Sequence, residues 1–232
     1  MQGGAGLGKY PLGAVDVVFW PDRGAAASVR ARELGFEHID VSVEFDPATL
    51  ALPLGCPTAF PKPQPGWCTT PAPTANDGMW EWTVRKFRDA PGCLLEPWAG
   101  ATVNSLESIQ AIREEVPGLR FLIDTGHVAD WGGDPLEVLE YADHIQLRQG
   151  KPGQTQVHVD DASGVVDFAQ VIARLDDLGY QGKLSIEYFN LPEHGWPLDD
   201  PVGWATDLAA HLRPLLEGAC SAGRPSWRSR TA

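Results

Sequence analysis

The chain has 232 residues, a net charge of −13 and a pI near 4.8; that length suits one α/β barrel or a pair of small domains. Its 18 Lys and Arg are scattered, so it is a poor binder of nucleic acid or of an anionic membrane, and an endonuclease is disfavoured on the same ground. No apolar run reaches the length of a membrane span, and the N-terminus lacks the charged-then-apolar order of a secretory signal. A cytoplasmic location is therefore expected, with Cys56, Cys68, Cys93 and Cys220 as reduced structural thiols.

Gly3 to Tyr10 comes close to a phosphate-binding loop, but Tyr10 stands where Ser or Thr must hold magnesium, and no strand precedes it. A flexible leader is expected there. Val15 to Trp20 reads as a β-branched, apolar strand. A helix follows from Ala25 to Leu34, stopped by Gly35, and then a strand from His38 to Val43. Residues 47–78 carry Pro57, Pro61, Pro63 and Pro65 beside Gly55, Gly66 and Gly78. Leu50 to Leu54 is a strand candidate, and the rest reads as loop. A loop as long as residues 55–78 in a compact domain is often a lid or a partner-binding arm. It is expected to leave from the carboxyl face, over the pocket or a second subunit, with Trp67 as an anchor. Trp80 to Phe87 reads as a short helix with Trp80, Val84 and Phe87 on one face.

The second half alternates more regularly. A strand over 93–97 leads to a helix over 105–115, with Asn104 and Glu107 as its capping box. A strand over 119–124 leads to a helix opening at Asp134-Pro135, with Glu137 completing a second box. A strand over 144–148 leads to a helix from Asp167 that Gly179 stops. A strand over 183–188 precedes a final helix from Asp200-Pro201 to about Leu216. The pattern argues one parallel-sheet domain over 1–218, followed by a disordered tail over 219–232 that holds Arg224, Arg228 and Arg230.

Four apolar runs end on an oxygen-bearing side chain: Leu94-Leu95-Glu96, Phe121-Leu122-Ile123-Asp124, His144-Ile145-Gln146 and Leu184-Ser185-Ile186-Glu187. A carboxylate at a buried strand tip must be solvated, paired or bound to a cation. Three of them converging need a positive centre, and a divalent metal ion is the expectation. An open sheet would spread the four over too wide a span for one ion, whereas a closed (β/α)8 barrel gathers them at the carboxyl ends of its strands. Only six or seven strands are legible, so one β/α unit in the proline-rich stretch is expected to be degenerate or missing.

Asp124-Thr125-Gly126-His127, the strand His144-Ile145-Gln146-Leu147-Arg148, Gly164-Val165-Val166-Asp167-Phe168 and the run Gly179 to Glu187 together resemble the xylose isomerase-like barrels, the sugar phosphate isomerase/epimerase group. The resemblance covers about residues 93–190. It implies a TIM-type barrel and one divalent ion held by Glu96, Asp124, Gln146 and Glu187. Gln146 stands where the group usually has a histidine, and an all-oxygen set suits Mg2+ or Mn2+. The resemblance further implies that Glu96 and Glu187 transfer protons, that His127 hydrogen-bonds a developing enolate, and that Arg148 holds a polar group of the ligand. Trp20, Trp98 and Trp131 follow strands and are candidates to wall the pocket. The indole of Trp98 stands where related enzymes often carry a polar residue, which favours an apolar or ring-bearing ligand. His144 is either a further substrate contact or a packed core histidine.

The reading is a metal-dependent isomerase or epimerase acting on a sugar, a cyclitol or a related hydroxy-ketone. A lyase of the dehydroshikimate dehydratase type is the first alternative, fed by Gln146. A non-catalytic partner subunit on the same fold is the second, fed by the shortened N-terminal half. The expected partners are a small polyhydroxy substrate and, in a homodimer, a second copy of the chain.

Overall fold

A computed structural model describes residues 9–192 and 196–218. Its eight strands are β1 (Leu12–Val15), β2 (Ile39–Val41), β3 (Leu54–Pro57), β4 (Cys68–Pro71), β5 (Cys93–Glu96), β6 (Phe121–Asp124), β7 (Ala142–Leu147) and β8 (Leu184–Ile186). They form one sheet in the order β3-β2-β1-β8-β7-β6-β5-β4, and every ladder is parallel. Around it lie α1 (Gly24–Glu33), α2 (Met79–Arg88), α3 (Leu106–Glu115), α4 (Thr125–Asp130), α5 (Pro135–Val138), α6 (Phe168–Leu178) and α7 (Pro201–Gly218). The fold is a nearly closed TIM barrel. Among the described residues no helix is long and apolar enough to cross a membrane. The expected leader up to Gly8, the tail over 219–232 and Cys220 lie outside the described residues, whereas Lys9 and Tyr10 are both tied to Asp176 on α6. Cys56, Cys68 and Cys93 are free and buried.

The closing seam lies between β3 and β4, the two ends of the strand order. The Phe60 N–H donates to the Thr69 carbonyl at 2.9 Å, and the Thr69 hydroxyl to Thr58 Oγ1 at 2.9 Å. All eight strands are therefore present. What the N-terminal half lacks is an α-helix between β2 and β3, where only the 3-10 turn Pro47–Thr49 lies, and any helix between β3 and β4, where residues 58–67 run as an irregular strap. The proline-rich stretch thus holds two strands, one at Leu54–Pro57 instead of Leu50–Leu54 and one at Cys68–Pro71. Trp67 does not sit over the carboxyl face. It directly precedes β4, at the amino end, where its indole N–H donates to the Gly55 carbonyl and its ring meets His144 edge-on at 6.2 Å. Residues 72–75 do flank the carboxyl face, through Ala72 N–H to Glu96 O at 2.8 Å and Ala75 N–H to Gly100 O at 2.9 Å.

Local chemistry accounts for the displaced boundaries. The first strand stops at Val15 because the buried Asp16 carboxylate accepts from the backbone N–H groups of Gly24 and Ser42, which turns Asp16–Phe19 into a 3-10 segment. Helix α3 is capped reciprocally by Ser105 and Ser108, one residue after the expected pair. Helix α4, absent from the sequence reading, starts straight off β6 because the Asp124 carboxylate caps it.

The barrel interior holds a polar layer. Asp40 Oδ2 meets His144 Nε2 at 2.6 Å, Asp40 Oδ1 accepts from Cys56 N–H at 2.7 Å, and His38 Nε2 meets Ser185 Oγ at 2.9 Å. Burial pushes Asp40 upward, but the charge and hydrogen bond of His144, with His38 and Ser185, outweigh it and hold the carboxyl below its usual range. Burial pushes His38 down to about 4. Gly13 and Gly55 leave the room this layer needs, since a Cβ at either would run into His38 or Asp40.

Asp40→Ala leaves the buried His144 and the Cys56 N–H without their acceptor. It is expected to destabilise the barrel by about 3 kcal/mol or more, the cost of breaking a buried pair, read as a lower urea midpoint.

Candidate functional site

The pleat decides what faces the barrel axis. Side chains two apart on a strand share a face, so the inward-facing His144 places Gln146 on the same side, one layer nearer the carboxyl end. Asp124 and Gln146 are ladder partners, as are Gln146 and Ser185. Glu96 closes β5, Asp124 closes β6, and Glu187 and Arg148 each follow their strand by one residue. All five side chains are buried.

The positive centre among them is a guanidinium. Arg148 Nη2 donates to Asp124 Oδ2 at 2.7 Å and to Glu187 Oε2 at 3.2 Å, and Arg148 Nε donates to Asp124 Oδ1 at 3.3 Å. The segment 124–126 forms a seat for it. Asp124 takes the fork. Thr125 Oγ1 accepts from the Arg148 N–H at 2.9 Å and donates to the Arg148 carbonyl at 2.8 Å. Gly126 leaves space, because a Cβ there would overlap the Arg148 stem and the Thr155 carbonyl. The Phe189 ring covers the guanidinium, with Cζ 4.5 Å from its centroid, a cation–π contact.

Three carboxylates around one guanidinium would carry excess negative charge if all were ionised, so protons stay bound. Burial, then the Asp124 charge, push the Glu96 carboxyl up to about 8 against the pull of Arg148. Burial also raises Glu187 well above its usual range, opposed by Arg148 and reinforced by Glu96 and Asp124. His127, with Nε2 3.8 Å from Glu96, is pushed down to about 3 by burial and then by Arg148, so its ring is neutral. Arg148 stays charged: burial opposes its charge, but Asp124 and Glu187 raise its pKa.

Several polar atoms here are buried without a hydrogen-bond partner: Gln146 Oε1 and Nε2, Arg148 Nη1 and His127 Nδ1. The Gln146 oxygen is a donor a metal could use. The rest of the expected set does not fit a dication. Asp124 Oδ1 already accepts from Gly126 N–H, His127 N–H and Arg148, and Oδ2 from Arg148. A dication on these oxygens would lie close to a fixed guanidinium. Each pair of like unit charges at 4 Å costs about 4 kcal/mol at an effective dielectric of about 20. Among the described residues no group of three or more His, Cys, Asp and Glu is arranged to hold a metal ion. The centre of the cluster is occupied by Arg148, expected from the sequence to hold a polar group of the ligand, which bonds to two of the four expected metal ligands, Asp124 and Glu187.

The remaining candidates divide. His144 belongs to the interior layer with Asp40 and not to the carboxylate cluster. Trp98 stands beside Glu96, its indole N–H donating to Ala72 O at 2.6 Å. Trp131 packs on the core with its ring edge where a Gly133 Cβ would go. Trp20 is 63% exposed and stacks on Arg23. Two aromatic residues escaped the sequence reading. Trp196 lies 6.1 Å from His127, 6.4 Å from Trp98 and 5.3 Å from Phe189, ring centroid to centroid, and so joins them above the cluster. Phe189 had a weak signal, since it follows Glu187 by two residues just past the end of β8; Trp196, in a loop, had none.

A sequence profile of the xylose isomerase-like TIM barrels matches residues 86–215, more than half of the chain. No curated protein matches the sequence. Among solved structures, the chain is similar to 3-keto-D-glucoside 4-epimerase from E. coli, with a TM-score of 0.63 at 15% identity over 88% of this chain and 99% of that one. It is similar to an L-ribulose 3-epimerase, with a TM-score of 0.66 at 14% identity over 92% and 99%. A xylose isomerase-like TIM barrel protein from Mycobacterium smegmatis, solved in complex with magnesium, gives 0.65 at 14% over 90% and 97%. At these identities the likeness is one of fold.

The raised Glu96 carboxyl has a stability consequence. The folded form holds its proton up to about pH 8, whereas the unfolded form releases it near the ordinary value of about 4.3. This contribution is complete below the unfolded pKa and is lost as pH rises toward 8. Glu96→Gln carries no such charge. Its melting temperature relative to the parent is expected to be unchanged near pH 4 and about 4 °C or more higher at pH 8, measured by calorimetry across that window.

Proposed function

Because the chain belongs to the xylose isomerase-like TIM barrel family, we propose that it is an isomerase or epimerase of a sugar, a cyclitol or a related hydroxy-ketone. The observation that carries this reading is the pair Glu96 and Glu187, two buried carboxyls on opposite sides of Asp124 and Arg148 that both hold protons more tightly than usual. Glu96 holds its proton up to about pH 8, so as the pH approaches that value one carboxyl of the pair ionises and acts as base while the other, still protonated, acts as acid. The ionised member removes the proton beside a carbonyl. Negative charge then grows on the carbonyl oxygen, and Arg148 Nη1 and the neutral His127 ring are the unpartnered groups suited to hold it. The protonated member returns a proton to the neighbouring oxygen or to the other face of the carbon. Gln146, with donor and acceptor both free, suits a substrate hydroxyl. Trp98, Phe189 and Trp196 join ring to ring beside His127 and suit a wall that limits water around a bound substrate, which would strengthen each of these contacts. Proton exchange of this kind accords with the epimerases that share the fold.

The divalent ion expected from the sequence is not carried into this reading, because Arg148 bonds to two of its ligands. A lyase remains the second reading. It is favoured by Glu96, whose proton held up to about pH 8 suits the departure of a hydroxyl as water. The case for a non-catalytic partner rests on the missing helices of the N-terminal half alone, since that half supplies all its strands.

Incubation in D2O with ketoses, inososes and dehydroshikimate separates these. Exchange of carbon-bound hydrogen without loss of water is the expected result; a new ultraviolet-absorbing product would favour the lyase, and no exchange with any of them would overturn both. Glu187→Gln is expected to retain the fold and to lower the exchange rate by roughly 10² or more; full exchange in that variant would remove Glu187 from the chemistry.

A further inference from the structure

We infer that the guanidinium of Arg148 takes the place of a divalent ion in this barrel, so that the carboxylate cluster is complete without metal. Its use as the electrophile rests on the isomerase reading above; its occupancy of the cation position does not. Three independent features fix the arginine there. Asp124, the residue best placed to be a shared ligand, spends one carboxylate oxygen on capping α4 and both on the Arg148 fork. Thr125 locks the arginine backbone through both its N–H and its carbonyl. Gly126 is the residue that leaves room for its stem. A planar fork that matches a carboxylate bidentately is pre-organised and always charged, so it balances the cluster without a solution ion. One guanidinium nitrogen, Nη1, stays buried and unpartnered, which leaves a donor for a ligand oxygen.

The test uses the full chain, purified without chelator, and needs no substrate. Metal content by mass spectrometry is expected well below one ion per chain. Mn2+ titration followed by electron paramagnetic resonance should show no tight uptake, and neither EDTA nor millimolar Mn2+ should move the melting temperature. One tightly held Mn2+ per chain, or a melting temperature that EDTA lowers, would overturn the inference. Arg148→Ala uncovers the carboxylates, and is expected to bind Mn2+ at least tenfold tighter than the parent and to be stabilised by it. Should that variant not fold, Arg148→Gln, which keeps hydrogen bonding but no charge, serves in its place. No gain in Mn2+ affinity in the folded variant counts against the inference. Absent exchange in D2O with absent Mn2+ uptake sinks the isomerase reading alone, whereas exchange with tight Mn2+ uptake sinks the arginine's role alone.

Discussion

One buried guanidinium governs the carboxyl end of this barrel. Parallel strands of a barrel deliver their last residues to a common axis, and here three of those tips carry carboxylates. Without a cation they could not share that space in ionised form. Arg148 resolves the conflict, and its neighbours are arranged around it: a carboxylate fork, a threonine lock, a glycine gap and an aromatic cover. Because it brings a single positive charge to three acids, the balance is incomplete. The remainder is met by protons on Glu96 and Glu187. Charge neutrality and acid–base capacity are thus one fact seen from two sides.

The fold was readable where elements were long and connected by short turns. Helix α6, with its buried Phe168, Val171, Ile172 and Leu175 and its stop at Gly179, has both a periodic stripe and a terminator. β3 and β4 have neither. They are four residues each, contain Pro57 and Pro71, and no helix separates them, so nothing in the pattern distinguishes them from the loop around them. Helix α4 was missed because it is six residues long and starts on the residue that ends a strand; a carboxylate read as a metal ligand was also a helix cap.

The site was half legible for a different reason. Which oxygens reach the strand tips follows from alternation, and Glu96, Asp124, Gln146 and Glu187 were all identified. That they need a positive partner follows from electrostatics. Which partner they have depends on how far a long side chain folds back, and that is a matter of packing around Gly126 and Phe189 that spacing does not encode. The same limit hid Trp196, which reaches His127 from a loop, and drew His144 toward the pocket when its bond is to Asp40 one layer below.

The seam between β3 and β4 gives the barrel a mechanical asymmetry. Every carboxylate of the cluster, its arginine and His127 come from β5 through β8 and the residues directly after them, one unbroken arc of laddered strands. Closure of the ring lies elsewhere, where side-chain and single backbone bonds stand in place of a ladder. The strap over 58–67, next to the outer edge of β4, completes the circle, and the charged arc takes its geometry from ladders that do not pass through that strap, as the curve of a horseshoe does not depend on what fills its gap.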